Sequence, residues 1–254
     1  MTTVELFYLP GSPFSLQAKW MLSLCGVTIT SSHAHMALLG ELPMRLRLRL
    51  FPWQAAFWRK MTVPILLVEE EQADGGMSSL VLTDSFDIAA WAAGRPAALP
   101  LQLFLHEDKV RHWNDVNAAI MCYFRATLLD AAWQDPSIAT DFAPALLRGI
   151  PLVTNLLVRV GLLGFRRKYS QEGMMNTVNS AIAALDEVRA ALSKGRGDYL
   201  IDDRLSYADV VVANALDVIS VRPTTARLSE ERLRFSAASF QQLNTQYSDL
   251  MAWK

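Results

Sequence analysis

Two cysteines in 254 residues, Cys25 and Cys122, cannot build a disulfide framework and fit a reducing compartment. Lys plus Arg number 24 and Asp plus Glu 25, so the formal net charge is −1, with no electrostatic case for a nucleic acid or a membrane surface. Histidine is scarce too: His33 and His35 alternate, but no third ligand stands near them, and no metal site is expected. The start, Met1-Thr2-Thr3-Val4-Glu5, has neither a basic region nor a long apolar segment, so no signal peptide is expected. The longest apolar run, Ile150 to Phe165, is interrupted by Asn155, Arg159 and two glycines. It falls short of the roughly 20 residues that span a bilayer and reads as a buried helix. What remains is apolar: 52% hydrophobic against 19% charged, a globular composition long enough for one large domain or two modest ones.

Val4 to Leu9 has the pattern of a strand, stopped by Pro10-Gly11. Phe14 to Cys25 follows as a helix, with Leu16, Trp20, Met21 and Leu24 at helical spacing and Gly26 closing it. Val27 to Ser32 is a second strand. The stretch from Leu38 to Lys60, broken by Pro43 and Pro52, is expected to be irregular or short helical, although Arg45 to Leu50 alternates as a strand would. Ile65 to Val68 and Ser79 to Leu82 form a hairpin around Ala73-Asp74-Gly75-Gly76, and Asp84 to Ala93 is a helix ended by Gly94. Gly94 to Pro100 is the natural linker. Beyond it only helical patterns occur, at about 103–132, 142–161, 172–193, 206–221 and 227–243. The expected architecture is an α/β domain over 1–94 and an all-helical domain over 101–254.

Two short segments point to a ligand. In Thr62-Val63-Pro64-Ile65 the proline cannot donate to a ladder and pushes Val63 into extended geometry. The Val63 backbone N–H and C=O are then free to pair with an extended peptide. Thr83-Asp84-Ser85 opens a helix, whose N-terminus suits a carboxylate. Together they describe a place for a small anionic peptide. A third segment, Leu205-Ser206-Tyr207-Ala208-Asp209-Val210, is a helix-capping box with a hydrophobic staple, a folding signal.

With Val63-Pro64, Asp84-Ser85 and the Ser206–Asp209 box in this order, the chain resembles the soluble glutathione transferase superfamily over nearly its whole length. The resemblance implies a thioredoxin-like, glutathione-binding N-terminal domain, a helical electrophile-binding domain and a cis Val63–Pro64 bond. It further implies a cytoplasmic homodimer that binds glutathione as co-substrate, without metal, nucleic acid or membrane. The implied reaction is detoxifying conjugation of the glutathione thiolate to a small hydrophobic electrophile, or peroxide reduction. The rival expectation is a non-catalytic binding or assembly module of the same fold, and a third is a carrier of hydrophobic ligands.

Such an enzyme must hold a thiol as thiolate. Lowering a thiol pKa from about 8.5 by about two units takes roughly 2.7 kcal/mol. A hydrogen bond to the anion supplies about 1.5–3 kcal/mol and a helix N-terminus about 0.3–1. One hydroxyl at a helix start is enough. Ser12 in Gly11-Ser12-Pro13-Phe14 fits, and the segment resembles the Ser-Pro-Phe of tau-like and the Cys-Pro-Phe of omega-like transferases. Ser12 also reads as an ordinary helix cap with Pro13 behind it. Tyr8, at the end of the first strand, is the rival hydroxyl, or a core tyrosine beside Val4 and Leu6; Ser15 is a third. No cysteine stands at the Ser12 position, which argues against disulfide exchange.

The resemblance assigns the γ-glutamyl carboxylate to Ser85, its ammonium to Asp84 and the cysteinyl backbone to Val63 ahead of Pro64. The basic residue usual before the Val-Pro is replaced by Thr62; Arg45, Arg47, Arg49 or Lys60 could serve the glycyl carboxylate, and Gln54 could add an amide. Arg45, Arg47 and Arg49 otherwise read as a solvated face. Cys25, Cys122, Trp113, Tyr123, Phe124 and Trp133 read as core, the aromatics with an option on the electrophile.

Overall fold

The computed structural model describes residues 2–9, 12–34, 41–50, 61–72, 75–95, 102–134, 178–195, 198–220 and 240–253, together with 156, 159, 160, 162 and 163. The chain divides into two compact units, Met1–Phe104 and Leu105–Lys254.

The first unit runs β1 (Thr2–Tyr8), α1 (Pro13–Leu24), β2 (Ser31–Ala34), α2 (Glu41–Arg47), β3 (Ile65–Glu71), β4 (Met77–Leu82) and α3 (Ser85–Ala93). Its sheet has the order β2-β1-β3-β4, with β1 parallel to β2 and β3 antiparallel to both β1 and β4. This is a thioredoxin-like βαβ–ββα arrangement. The second strand lies later than the Val27–Ser32 expected. The intervening residues close α1 instead: Gly26 takes a left-handed φ of 67°, and the Val27 N–H reaches back to Leu22 O at 2.8 Å.

Alternation assigns the two faces of the sheet. Val4, Leu6 and Tyr8 face α1, which packs on α3. Phe7, Ile65 and Leu67 face α2, where they form one cluster with Met44 and Leu48, joined by Leu50, Met61 and Val63. The strand-like alternation of Arg45 to Leu50 is overridden: this stretch is helix and turn, Arg45 is 7% exposed and Leu46 48%. Of the three arginines read as a solvated face, Arg47 and Arg49 are exposed and Arg45 is not. Arg45 is buried and bonded, while Arg47 Nε and Nη2 each reach a Glu5 oxygen at 3.0 Å. Arg49, at a φ of 55° normally left to glycine, is bonded to Glu69 at 2.9 Å.

His33 Nε2 shares the Glu5 carboxylate at 3.0 Å, and its ring stacks on Phe7 at 4.8 Å. Glu5 thus ties β1 to β2 and α2.

The second unit contains α4 (Glu107–Gln134), α5 (Val178–Lys194), α6 (Tyr207–Ile219) and α7 (Ser248–Trp253), with α4 packed on α5 and α6. No strand occurs among its described residues. Asp209 anchors the start of α6: Ser206 N and Oγ both donate to its Oδ2 at 2.7 Å, and Leu200 N donates to Oδ1 at 2.8 Å. Burial raises the Asp209 pKa, and these hydrogen bonds oppose that rise. Most of the helices expected at 142–161 and 227–243 lies outside the described residues, and α7 was not anticipated. No described helix is long and apolar enough to cross a membrane.

The Arg47 hydrogen bond, then His33, hold the Glu5 carboxyl below its ordinary value, against the opposing effect of burial. Stability from a depressed carboxyl is complete above its unfolded pKa and is lost as pH falls through the folded one. Glu5→Gln should therefore cost about 1–2 kcal/mol near neutrality. Denaturant titrations of variant and wild type should converge as the pH drops below about 4; a constant gap would refute the pairing.

Candidate functional site

Register places three turns at one end of the sheet. Phe7 pairs with Ile65, and Leu66 with Leu82. The segments leaving β1, entering β3 and leaving β4 therefore share one edge. They carry Tyr8 and Ser12, Val63-Pro64, and Asp84-Ser85. Neighbouring strands lie about 4.8 Å apart, so the outer two turns are separated by roughly 10 Å. The N-termini of α1 and α3 open at this same end.

The β1–α1 turn is built from two serines with different duties. Ser15 is 2% exposed, and its Oγ accepts the Leu9 N–H at 3.1 Å. Leu9 O in turn accepts the Ser12 N–H at 3.0 Å. Ser15, the third hydroxyl considered, is thus spent on the turn. Ser12 caps α1 with extended backbone (φ −78°, ψ 125°), Pro13 standing at the first helical position. Its Oγ accepts the Ser15 N–H only at 3.5 Å, and its own proton goes to no described group. The Ser12 hydroxyl is half-buried with a donor to spare.

Tyr8 is half-buried, unlike Val4 and Leu6 on the same face, and its hydroxyl bonds to no described residue. Lys19 lies over its ring, Nζ 3.2 Å from the centroid. This residue was missed in the sequence, where a single charged residue on an otherwise uncharged helix was the available signal.

The Val63–Pro64 peptide is cis. The Val63 side chain packs on the α2-side cluster, and its backbone N–H and C=O bond to no described residue. Asp84 is the N-cap of α3 (φ −126°, ψ 141°), its Oδ1 accepting the Phe86 N–H at 2.8 Å, and it is exposed. Ser85 is buried at 6% exposure, and its hydroxyl has no partner among the described residues.

Of the basic candidates, Arg47 and Arg49 are occupied by Glu5 and Glu69, and Arg45 is buried and bonded. Lys60 and Gln54 lie outside the described residues, as does His35. His33 is engaged by Glu5 and Phe7. Burial pushes the Cys25 thiol up, as befits a core cysteine, whereas Cys122 is only half-buried. In the helical unit Trp113 is core, Tyr123 and Phe124 pack on Phe240, and Trp133 is exposed.

A family model described as glutathione S-transferase, C-terminal domain, matches residues 166–244. Among solved structures, glutathione transferase GSTFuA2 from Phanerochaete chrysosporium aligns over 97% of both chains with a TM-score of 0.56 at 15% identity. Glutathione transferase F7 from Populus trichocarpa aligns over 98% of this chain and 99% of its own, with a TM-score of 0.50, again at 15% identity. The chain has the glutathione transferase fold, and its residues 166–244 match that family's C-terminal domain. No curated protein sequence matches it. The thioredoxin-like unit and the helical unit are the two halves of that fold, and the turn-borne residues above all sit on the first.

The two serines of the β1–α1 turn separate in a stability measurement. Ser15→Ala orphans the Leu9 N–H and should cost about 1–2 kcal/mol. Ser12→Ala loses only a long N-cap contact and should cost about 0.5 kcal/mol, the low end for such a cap. Equal losses in urea unfolding would contradict this division of labour.

Proposed function

We propose that the chain is a glutathione transferase that activates the thiol of glutathione through Ser12. The observation that carries the proposal is the convergence of Ser12, the unbonded Val63 backbone and the Asp84-Ser85 helix start on one sheet end. An extended tripeptide is about 10 Å long, the same as the span of the three turns. Asp84 takes the γ-glutamyl ammonium and the Ser85 hydroxyl its carboxylate, aided by the α3 N-terminus. Val63 pairs with the cysteinyl backbone in the manner of an added strand. The sulfur then lies at the start of α1.

There the Ser12 hydroxyl donates its unspent proton to the sulfur, favouring the thiolate over the thiol. The thiol's own proton leaves to solvent, Ser12 keeping its hydrogen. The thiolate then forms a C–S bond as the electrophile's leaving group departs, or cleaves a peroxide O–O bond to give an alcohol and a sulfenic acid that a second glutathione converts to the disulfide and water. Ser12 fits this task better than Tyr8 because it stands at a helix N-terminus, and better than Ser15, whose hydroxyl is buried and committed to Leu9. A homodimer in a reducing, cytoplasmic setting, with a role in detoxification, accords with the superfamily and with the two unpaired cysteines. The second reading, a non-catalytic module, is favoured by one observation. Arg47 and Arg49, two of the cations considered for the glycyl carboxylate, are committed to Glu5 and Glu69.

Calorimetry and turnover with a model electrophile separate the two readings. Ser85→Ala should weaken glutathione binding about tenfold or more, the loss of one hydrogen bond to a charged group. Ser12→Ala should lower kcat about 10- to 1000-fold while Kd stays within about threefold. Unchanged kcat in Ser12→Ala alongside a large loss in Tyr8→Phe would transfer the role to Tyr8. Absence of glutathione binding by the wild-type protein would favour the module.

A further inference from the structure

Among the described cations of the first unit, Lys19 has no carboxylate partner. Its ammonium sits over the Tyr8 ring, and burial lowers its pKa with no carboxylate acting to restore it. The acidic residues around it are turned elsewhere. Glu5 projects from the opposite face of β1, where Arg47 and His33 share it. Glu69 and Glu70 are paired with Arg49 and Arg95. On α3, the helix packed against α1, Asp84 is bonded to its own helix start and Asp87 is exposed. A partly desolvated ammonium held over an aromatic ring, with no carboxylate paired to it among the described residues, gains from an added anion.

Helical geometry gives the direction in which that ammonium reaches. Ser12, Ser15 and Lys19 stand at i, i+3 and i+7, along one face of α1. Seven residues correspond to about 10 Å of rise. Helical side chains lean toward the N-terminus, and a lysine spans roughly 6 Å, so Nζ is carried back toward the level of Ser12. Its position over Tyr8, the last residue of β1, accords with that direction.

We propose that Lys19 is a second determinant of thiolate formation, its ammonium acting on the glutathione sulfur from the Tyr8 side while Ser12 donates a hydrogen bond from the helix start. The proposal rests on the reading of the site as a glutathione site. It assigns the lysine to the anionic sulfur and not to the peptide's anchorage, which lies across the sheet end at Asp84 and Ser85. An opposite charge within about 4–6 Å shifts an acid by one to three pKa units.

The test is an absorbance titration of thiolate near 240 nm with the protein saturated in glutathione and the unliganded protein subtracted. It is run for wild type, Lys19→Met and Lys19→Arg, with calorimetric Kd values measured in parallel and thermal melts to establish folding. Lys19→Met should raise the pKa of the bound thiol by about one unit or more with Kd within about threefold, and Lys19→Arg should recover most of that shift. Glutathione that binds to Lys19→Met with an unchanged thiol pKa would overturn the role of Lys19 and leave the glutathione site standing. A wild-type protein that binds no glutathione would overturn both.

Discussion

The pairing of Phe7 with Ile65 and of Leu66 with Leu82 is the constraint on which the rest depends. A slip of one residue would turn Val4 and Leu6 from the α1 face to the α2 face, and Glu5 into the α1 core. The buried faces of the sheet exclude that slip. With the register fixed, the ends of β1 and β4 and the start of β3 meet at one edge, and two helix N-termini open beside them. A peptide laid across that edge meets a hydroxyl, an open backbone and a capped helix start in succession. No long-range electrostatics are required, in keeping with a net charge of −1.

The opposite face of the sheet supports the middle of this array. Val63 belongs to the apolar cluster that also holds Met44 and Leu48 of α2, so the docking of α2 and the place of the Val63 backbone are linked. Glu5 reinforces that docking from one side and Glu69 from the other. The arginines that could have served a ligand's carboxylate are thereby used to hold the scaffold. Lys19, by contrast, is a described cation on the α1 side of the sheet, over the Tyr8 ring and paired with no carboxylate among the described residues.

Much of this was legible in the sequence because the signals are local. Gly26 ends α1, Pro13 marks its first position, and Asp84 and Ser206 cap α3 and α6; each acts through its near neighbours. The likeness to the glutathione transferase fold followed from the order of three short segments. What was not legible depends on partners far apart in the chain. Arg47 and Glu5 are 42 residues apart, and nothing in the Arg-Leu alternation reveals that the first arginine is buried. Ser15 and Ser12 are chemically alike, and it is burial and the shorter bond from the Leu9 N–H that mark Ser15 as the structural hydroxyl. Lys19 escaped notice because its position over Tyr8 depends on how α1 folds back onto β1, which spacing alone does not show.

The most direct test of the peptide site is the exchange rate of the Val63 amide proton, followed by NMR as glutathione is added. If the peptide pairs with the Val63 backbone as an added strand, that amide should pass from rapid to protected exchange at saturation, together with a shift of the Ser85 resonances. Saturating glutathione that leaves the Val63 amide exchanging at its unliganded rate would contradict the account.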